Sequence, residues 1–226
     1  MAYRSKAYRE ASQKVEADKR ISLREAVDKV KAISFAKFDE TINVDISLGV
    51  DPRHADQMVR GVVSLPNGNG KVMRVAVFAK DKKAEEAKQA GADVIGAEDL
   101  AEDMQKGNLD YDRVIATPDM MGVVGKIGKV LGPKGLMPNP KLGTVTPDVK
   151  AAVEAAKSGQ IQYRAEKNGI VQAGIGKMSF GSDKLIENVN SFIEAIQKSR
   201  PSGAKGTFIK KISISSTMGV GINVNI

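Results

Sequence analysis

The chain contains no cysteine and no tryptophan, and it has a single histidine. Without cysteine there are no disulfides, no thiolate nucleophile and no thiolate-ligated zinc. That fits a reducing cytoplasm, the expected location. The lone His54 excludes histidine-rich metal sites and leaves a Ser–His–Asp triad only if His54 itself serves it. Its neighbours Arg53 and Asp56 mark it as an ordinary surface residue. Aromatics are scarce, 6 Phe and 4 Tyr. No stacking platform of the kind used by single-strand binders is visible. No stretch approaches the roughly 18 uninterrupted apolar residues that span a bilayer, so no membrane partner is expected. Residues 1–20 lack an apolar core and include Glu10, Glu16 and Asp18, which fits neither a secretory signal nor a transit peptide.

What the chain has in surplus is lysine and arginine, unevenly placed. In total 35 Lys+Arg face 27 Asp+Glu, a net of +8. Residues 69–159 hold 14 basic and 13 acidic residues, whereas the two flanks together hold 21 and 14. The asymmetry predicts a basic domain assembled from both termini with a neutral domain inserted in it. A basic surface without catalytic equipment most often faces a polyanion, and nucleic acid is the commonest. A length of 226 residues, 42% of them apolar, suits one large domain or two small ones.

Periodicity supports that division. Residues 5–17 read as a polar helix. Ser22 with Glu25 forms a capping-box pair, and Leu23, Ala26, Val27, Val30 and Ile33 then share one helical face. From Thr41 the period becomes two, with Ile42, Val44, Ile46 and Leu48 alternating with polar residues. A strand at Gly61–Leu65 follows. The turn-forming run Pro66, Asn67, Gly68, Asn69, Gly70 marks the first crossing between domains. Beyond it come a strand at Val72–Phe78, a helix at Asp81–Ala90, and a strand at Ala92–Ile95. A helix at Glu98–Lys106 and a strand at Arg113–Ala116 come next. A last helix runs over Val149–Lys157, with Pro147 at its first turn. That alternation indicates a parallel sheet flanked by helices.

Ser158 and Gly159 mark the return. Ile161, Tyr163 and Ala165 then alternate with polar residues. Lys167, Asn168 and Gly169 read as a hairpin turn leading to a partner strand at Ile170–Ile175. An amphipathic helix at Asp183–Arg200 and two strands, Phe208–Ser215 and Val220–Asn225, complete the chain. The expected architecture is an α+β discontinuous terminal domain, residues 1–67 and 160–226, with an inserted α/β Rossmann-like domain, residues 68–159. Pro66, Asn67, Gly68, Ser158 and Gly159 are the expected hinge.

Four segments invite a functional reading. Residues 125–143 carry Lys126, Lys129, Lys134 and Lys141 among glycines and prolines, and no acidic residue lies between Asp119 and Asp148. Exposed backbone N–H groups and lysines can cradle phosphate. However, Gly125-Lys126 precedes Ile127 and Gly128-Lys129 precedes Val130, so the P-loop hydroxyl is missing. The turn after the first strand of the middle, Ala79-Lys80-Asp81, lacks the dinucleotide glycines. The segment is either a structural Pro/Gly loop or a basic loop touching RNA or a neighbouring protein. Residues 36–41 are either a connector with Phe38 under the core, or a site with Lys37 on a phosphate, Thr41 on a sugar or phosphate oxygen, and Phe38 on a ribose or base. Thr217, Met218 and Gly219 sit at a turn, where methionine either folds over the sheet edge or moulds to a nucleic-acid surface. Arg164, Glu166 and Lys167 either extend that surface or are merely solvated. With no basic helix patterned for a major groove, structured RNA read by shape, phosphates and 2′-hydroxyls fits better than duplex DNA.

At these motifs the chain resembles the family of large-subunit ribosomal protein one, in its bacterial form. The matching residues are Lys37-Phe38-Asp39-Glu40-Thr41, Asp51-Pro52-Arg53, 61–66, 116–119, 131–141, Gly143-Thr144-Val145, 203–208 and Thr217-Met218-Gly219. The resemblance implies a terminal domain that binds a folded site on large-subunit ribosomal RNA at the base of a mobile side stalk. It implies assistance to exiting deacylated transfer RNA. It also implies repression of the protein's own operon through a similar structure in the messenger RNA. It places Lys37, Phe38, Thr41, Lys167, Thr217, Met218 and Gly219 on RNA. Lys211 and Gln172 fall where other members carry different polar residues and are left out of that set. No enzymatic activity, cofactor or metal is expected, and the protein should be a monomer off the ribosome. The alternative is a nucleotide-dependent enzyme built on the Rossmann-like middle.

Overall fold

The structure, a computed structural model, describes residues 4–16 and 19–225. Its contacts divide the chain into two compact units, Met1–Gly70 with Ile161–Ile226, and Lys71–Gln160.

The first unit opens with helix α1 (Lys6–Gln13), capped by Ser5 Oγ accepting from Tyr8 N at 3.3 Å. This helix is shorter than the expected span, and residue 17 lies outside the described residues. Helix α2 (Leu23–Ile33) begins where Ser22 Oγ accepts from Glu25 N at 3.4 Å, and it buries Ala26, Val27 and Val30. Strand β1 (Thr41–Leu48) follows, then β2 (Arg60–Ser64).

The second unit runs β3 (Val75–Phe78), α3 (Asp81–Gln89), β4 (Val94–Gly96), α4 (Glu98–Gln105), β5 (Arg113–Ala116), α5 (Met121–Lys126), α6 (Gly128–Leu131) and α7 (Val149–Lys157). The chain re-enters the first unit through β6 (Gln160–Arg164), then β7 (Ile170–Lys177), α8 (Ser182–Lys198), β8 (Ile209–Ser216) and β9 (Ile222–Val224).

The first unit is built on an antiparallel sheet of order β7-β1-β8-β9. Both flanks contribute to it, because β1 lies before the second unit in sequence and its partners after. Ile42, Val44 and Ile46 on β1 are fully buried. They share one core with Val27 of α2 and with Leu185, Val189, Phe192 and Ile196 of α8. Tyr163 meets Phe192 edge-on, ring centroids 5.8 Å apart.

Two expectations are corrected here. The strands on either side of Lys167 are not paired as a hairpin: β6 joins β2 in a two-stranded sheet, while β7 joins β1. Among the described residues, a single bridge, Ala165 to Val171, and the turn bonds Gly169 N to Glu166 O and Glu166 N to Ile170 O connect them. The arms diverge because different partners capture them. Ala165 N donates to Val59 O at 2.8 Å, and Gly169 O accepts from Leu48 N at 2.8 Å. In addition, Pro147 lies outside its helix, which starts after Asp148, whose carboxylate accepts from Ala151 N at 3.1 Å.

In the second unit, β4-β3-β5 form a parallel sheet. Ala76, Phe78, Val114 and Ala116 face α4, α5 and α6, whereas Val75, Val77 and Ile115 face α3 and α7. Both faces are covered, as parallel sheets require. The first strand starts at Val75 rather than Val72, which is 92% exposed. At that end Asp112 caps the strand: its carboxylate accepts from Arg74 N at 3.0 Å and its own N–H donates to Arg74 O at 2.9 Å, an oxygen that also accepts from Arg113 N at 3.2 Å.

The expected crossing residues are held by hydrogen bonds. Asn188 of α8 is fully buried; its Oδ1 accepts from Asn67 N at 3.1 Å, and its Nδ2 donates to Gly68 O and Ile175 O at 2.9 and 2.8 Å. Ser158 closes α7, its N–H bonding Glu154 O at 2.8 Å, and Gly159 adopts a left-handed φ of 91°. Arg113 donates to Gln160 Oε1 and O, both at 2.8 Å.

Candidate nucleic-acid interface

Sheet pairing brings most of the candidate residues to one end of β1. Thr41 opens the strand, and the next residue, Ile42, faces Ser216, the last residue of β8. Thr217 extends that ladder with its side chain. Its Oγ1 accepts from Thr41 N at 3.0 Å and donates to Thr41 O at 3.2 Å. Lys177, across from Thr41 on β7, donates from Nζ to Thr41 Oγ1 at 2.9 Å.

Beneath these lies Glu40, 1% exposed. Its Oε1 accepts from Met218 N at 2.7 Å, and its other oxygen accepts from Ser34 Oγ. The Glu40 carbonyl takes Met178 N at 2.9 Å. Next to it, the Asp39 carboxylate accepts from Ser179 N and Oγ at 3.0 and 2.9 Å. The backbone of 39–41 and 217–218 is therefore pinned from several directions.

On this pinned frame the side chains at the tip point outward. Phe38 is 57% exposed and Met218 53% exposed, so neither is folded over the core. Lys37 is exposed and forms no ion pair among the described residues. Gly219 is required by close approach: a Cβ there would lie 2.4 Å from Ser216 Oγ. The Ser216 hydroxyl is buried and, among the described residues, has no hydrogen-bond partner.

Lys167 does not belong to this group. In the β1–β7 register Thr41 faces Lys177 and Ser47 faces Ile170, so the Lys167 turn sits at the opposite end of the strand. At about 3.4 Å per residue, the seven steps from Thr41 to Leu48 span roughly 24 Å. Between the two ends runs the second face of the sheet. Thr41, Asn43, Asp45 and Ser47 alternate with the buried side of β1 and stay half-buried. Ser213 and Ser215 of β8 lie across from Asp45 and Asn43.

Sequence reasoning missed Lys177 and Asp45 on this surface and Glu40 beneath it. Asp45 was legible only as the polar half of an alternation. Burial, and then the nearby Glu166, push its carboxyl above the usual range.

The lysine-rich segment 125–143 lies in the second unit and is largely folded. Residues Gly128–Leu131 form α6, and Ile127, Leu131 and Leu142 are buried. Asn139 Oδ1 accepts from Lys141 N at 2.9 Å, and Thr144 Oγ1 accepts from Asn139 N at 2.8 Å. Gly135 and Gly143 take left-handed φ values of 71° and 66°. Its glycines and apolar residues serve turns and core, and its four lysines stay exposed.

Among the described residues no group of His, Cys, Asp or Glu is placed to hold a metal ion, and no helix is long and apolar enough to cross a membrane. In comparison with known protein families, residues 30–220 match the model described as "Ribosomal protein L1p/L10e family".

Proposed function

We propose, from the premise that this chain belongs to the ribosomal protein L1p/L10e family, that the Thr41–Thr217 end of the open sheet is its main docking point on large-subunit ribosomal RNA. The family is one of structural ribosomal proteins that bind ribosomal RNA. It is not an enzyme family, so membership lends nothing to the alternative of a nucleotide-dependent enzyme.

One observation supports the site above the others. Phe38 and Met218 stand exposed on backbone that Glu40, Thr41 and Thr217 hold fixed. A surface ordered before binding loses little entropy on binding. A thioether and a phenyl ring held there can fit ribose and base edges of a non-helical RNA. Lys37 adds phosphate attraction at the rim.

In the same reading the RNA is the folded base of the mobile side stalk. The stalk accompanies exiting transfer RNA. A similar fold in the protein's own messenger RNA competes for the tip and represses translation. Off the ribosome the protein is a monomer.

The test is a filter-binding titration against a large-subunit ribosomal RNA fragment at two salt concentrations. Phe38→Ala and Met218→Ala should each cost about 1–3 kcal/mol of specific binding, and Lys37→Glu should weaken all RNA binding and flatten the salt slope by about one. Normal affinity in a Phe38→Ala/Met218→Ala double variant would remove the tip from the interface. Displacement of the operon message by the ribosomal fragment tests the shared site.

A further inference from the structure

We propose that Met218 is an oxidation site through which a peroxide controls docking: its thioether becomes the sulfoxide in the free protein, and the oxidised chain docks more weakly. This control rests on the reading of the tip as the docking point on ribosomal RNA.

With no cysteine, thioethers are the only sulfur in the chain, and no thiol competes for an oxidant. The fold sorts them by access. Met104 and Met120 are 0% and 1% exposed in the core of the second unit. Met121 and Met137 pack against the same core, Met73 against the other face of that sheet, and Met178 against the core of the first unit. Among the described residues only Met58 and Met218 are well exposed, at 42% and 53%.

Placement separates these two. Met58 follows the short 3-10 turn Ala55–Gln57, and the bond from Ala165 N to Val59 O sets it at the far end of β1. Met218 stands at the tip, on backbone held without help from its sulfur. Its N–H donates to the buried Glu40 at 2.7 Å, and the Thr217 hydroxyl bonds Thr41 N and O. Gly219 packs so closely that a Cβ would sit 2.4 Å from Ser216 Oγ. An oxygen added to the Met218 sulfur therefore changes the surface of the tip and leaves the frame beneath it standing. A methionine in a packed core lacks that freedom, because its sulfoxide disrupts what surrounds it.

The step balances with a peroxide as the oxidant. A sulfur lone pair attacks one peroxide oxygen, and the S–O bond forms as the O–O bond breaks. The departing hydroxide takes the proton of the transferred oxygen and leaves as water. Sulfur loses two electrons and the peroxide gains them. A dithiol enzyme of the methionine sulfoxide reductase class reverses the step: the thioether returns, water leaves, and the dithiol becomes a disulfide. This chain has no thiol with which to repair itself.

The sulfoxide is polar where the thioether offered a soft apolar contact. Against RNA its oxygen must shed water, and it carries partial charge of the same sign as the phosphates. Bound RNA in turn covers Met218, so docking and oxidation oppose one another, as linkage requires.

The experiment treats the full chain with limiting hydrogen peroxide, free or bound to the large-subunit ribosomal RNA fragment, and measures the sulfoxide at each methionine by peptide mass spectrometry. In the free protein Met218 and Met58 should oxidise first. The fragment should shield Met218, and an unrelated RNA of equal length should not. Treated protein should bind the fragment about tenfold more weakly at an unchanged melting temperature, and methionine sulfoxide reductase should restore the affinity. Met58→Leu should lose affinity on treatment as wild type does, whereas treated and untreated Met218→Leu should bind alike. Oxidation of the core methionines ahead of Met218, a loss that the reductase does not reverse, or an equal loss in Met218→Leu would each overturn the redox control. Unchanged binding by the Met218 sulfoxide beside weakened binding by Met218→Ala would overturn it and leave the tip standing. Normal binding by Met218→Ala would overturn the tip reading, and the control with it.

Discussion

The antiparallel sheet of the first unit packs helices on one face and leaves short polar side chains half-accessible on the other. The parallel sheet of the second unit is packed on both faces. The same backbone chemistry thus yields a surface in one place and a scaffold in the other. An antiparallel sheet needs only one apolar face, so its second face is available for recognition. A parallel sheet crossed by helices is consumed on both sides. Charge follows the same division, since residues 69–159 are nearly neutral and the flanks carry the positive surplus. The conspicuous lysine-rich segment 125–143 lies in the scaffold, while the less conspicuous Thr217–Gly219 lies on the surface.

The largest effect expected from breaking this arrangement is at Asn188. Replacing it by alanine removes the partner of the buried Ile175 O and of the half-buried Asn67 N and Gly68 O, at a cost of roughly 2–4 kcal/mol. Urea unfolding followed by a probe in the first unit checks this, and an unchanged midpoint would show those groups find other partners.

Next is Thr217, where recognition and folding overlap. Its two bonds to Thr41 mean that Thr217→Ala should lower stability by about 1–2 kcal/mol, while Thr217→Ser keeps the hydroxyl and most of the stability. Met218→Ala, by contrast, should stay within about 0.5 kcal/mol of wild type in stability. Thermal melts of the three variants sharpen the distinction between the pinned frame and its outward side chains.

A smaller effect of opposite sign is expected at Ser216. Its buried hydroxyl lacks a partner, so Ser216→Ala should be neutral or stabilising by up to about 1 kcal/mol. The same change clears the space that a Cβ on Gly219 would need. Gly219→Ala should therefore be destabilising alone and better tolerated with Ser216→Ala, a coupling that a double-mutant cycle measures.

The smallest effect is the response to acid, which should differ in sign between the units. In the second unit, Asp93 is held below the usual carboxylate range by the Val75 N–H and by Lys157, and Asp112 by Lys71 and the Arg74 N–H. Both contribute stability that is present above the ordinary carboxylate pKa of about 4 and is lost as pH falls through their lowered values. Asp45 in the first unit is raised by burial, so its contribution is present at low pH and is lost as pH rises through its folded value. Hydrogen exchange between neutral and acid pH should show the second unit loosening relative to the first. Asp45→Asn should remove the opposing trend in the first.

Much of the local structure was legible in the residues. Ser22 and Glu25 announced the start of α2, the alternation from Thr41 announced β1, and Arg113–Ala116 emerged with the expected bounds as β5. Met218 was legible as an odd choice for a turn, whereas Phe38 was open to two readings, under the core or on a ribose or base, and it stands 57% exposed. What escaped were long-range pairings. Lys167, Asn168 and Gly169 have the composition of a tight hairpin, but Val59 and Leu48, more than a hundred residues away, set where its arms go. Val72 continues an apolar run, but the strand begins only at Val75, after Arg74, whose N–H bonds the Asp112 carboxylate. Asn188 lies on the expected amphipathic helix, and nothing local marks it as the partner of Asn67 N, Gly68 O and Ile175 O.

The order of residues alone determined the type of most segments, where the chain would turn, and that positive charge would gather toward the termini. These follow from capping groups, side-chain period and counting, all of which act over a few residues or over none. Tertiary structure alone decided that Thr41 and Thr217 would share hydrogen bonds and that Lys167 would stand at the other end of the strand. It also decided that β6 and β7 would part. Those outcomes depend on which distant backbone groups capture one another, and a buried N–H or carbonyl accepts whichever partner the packed core brings within reach.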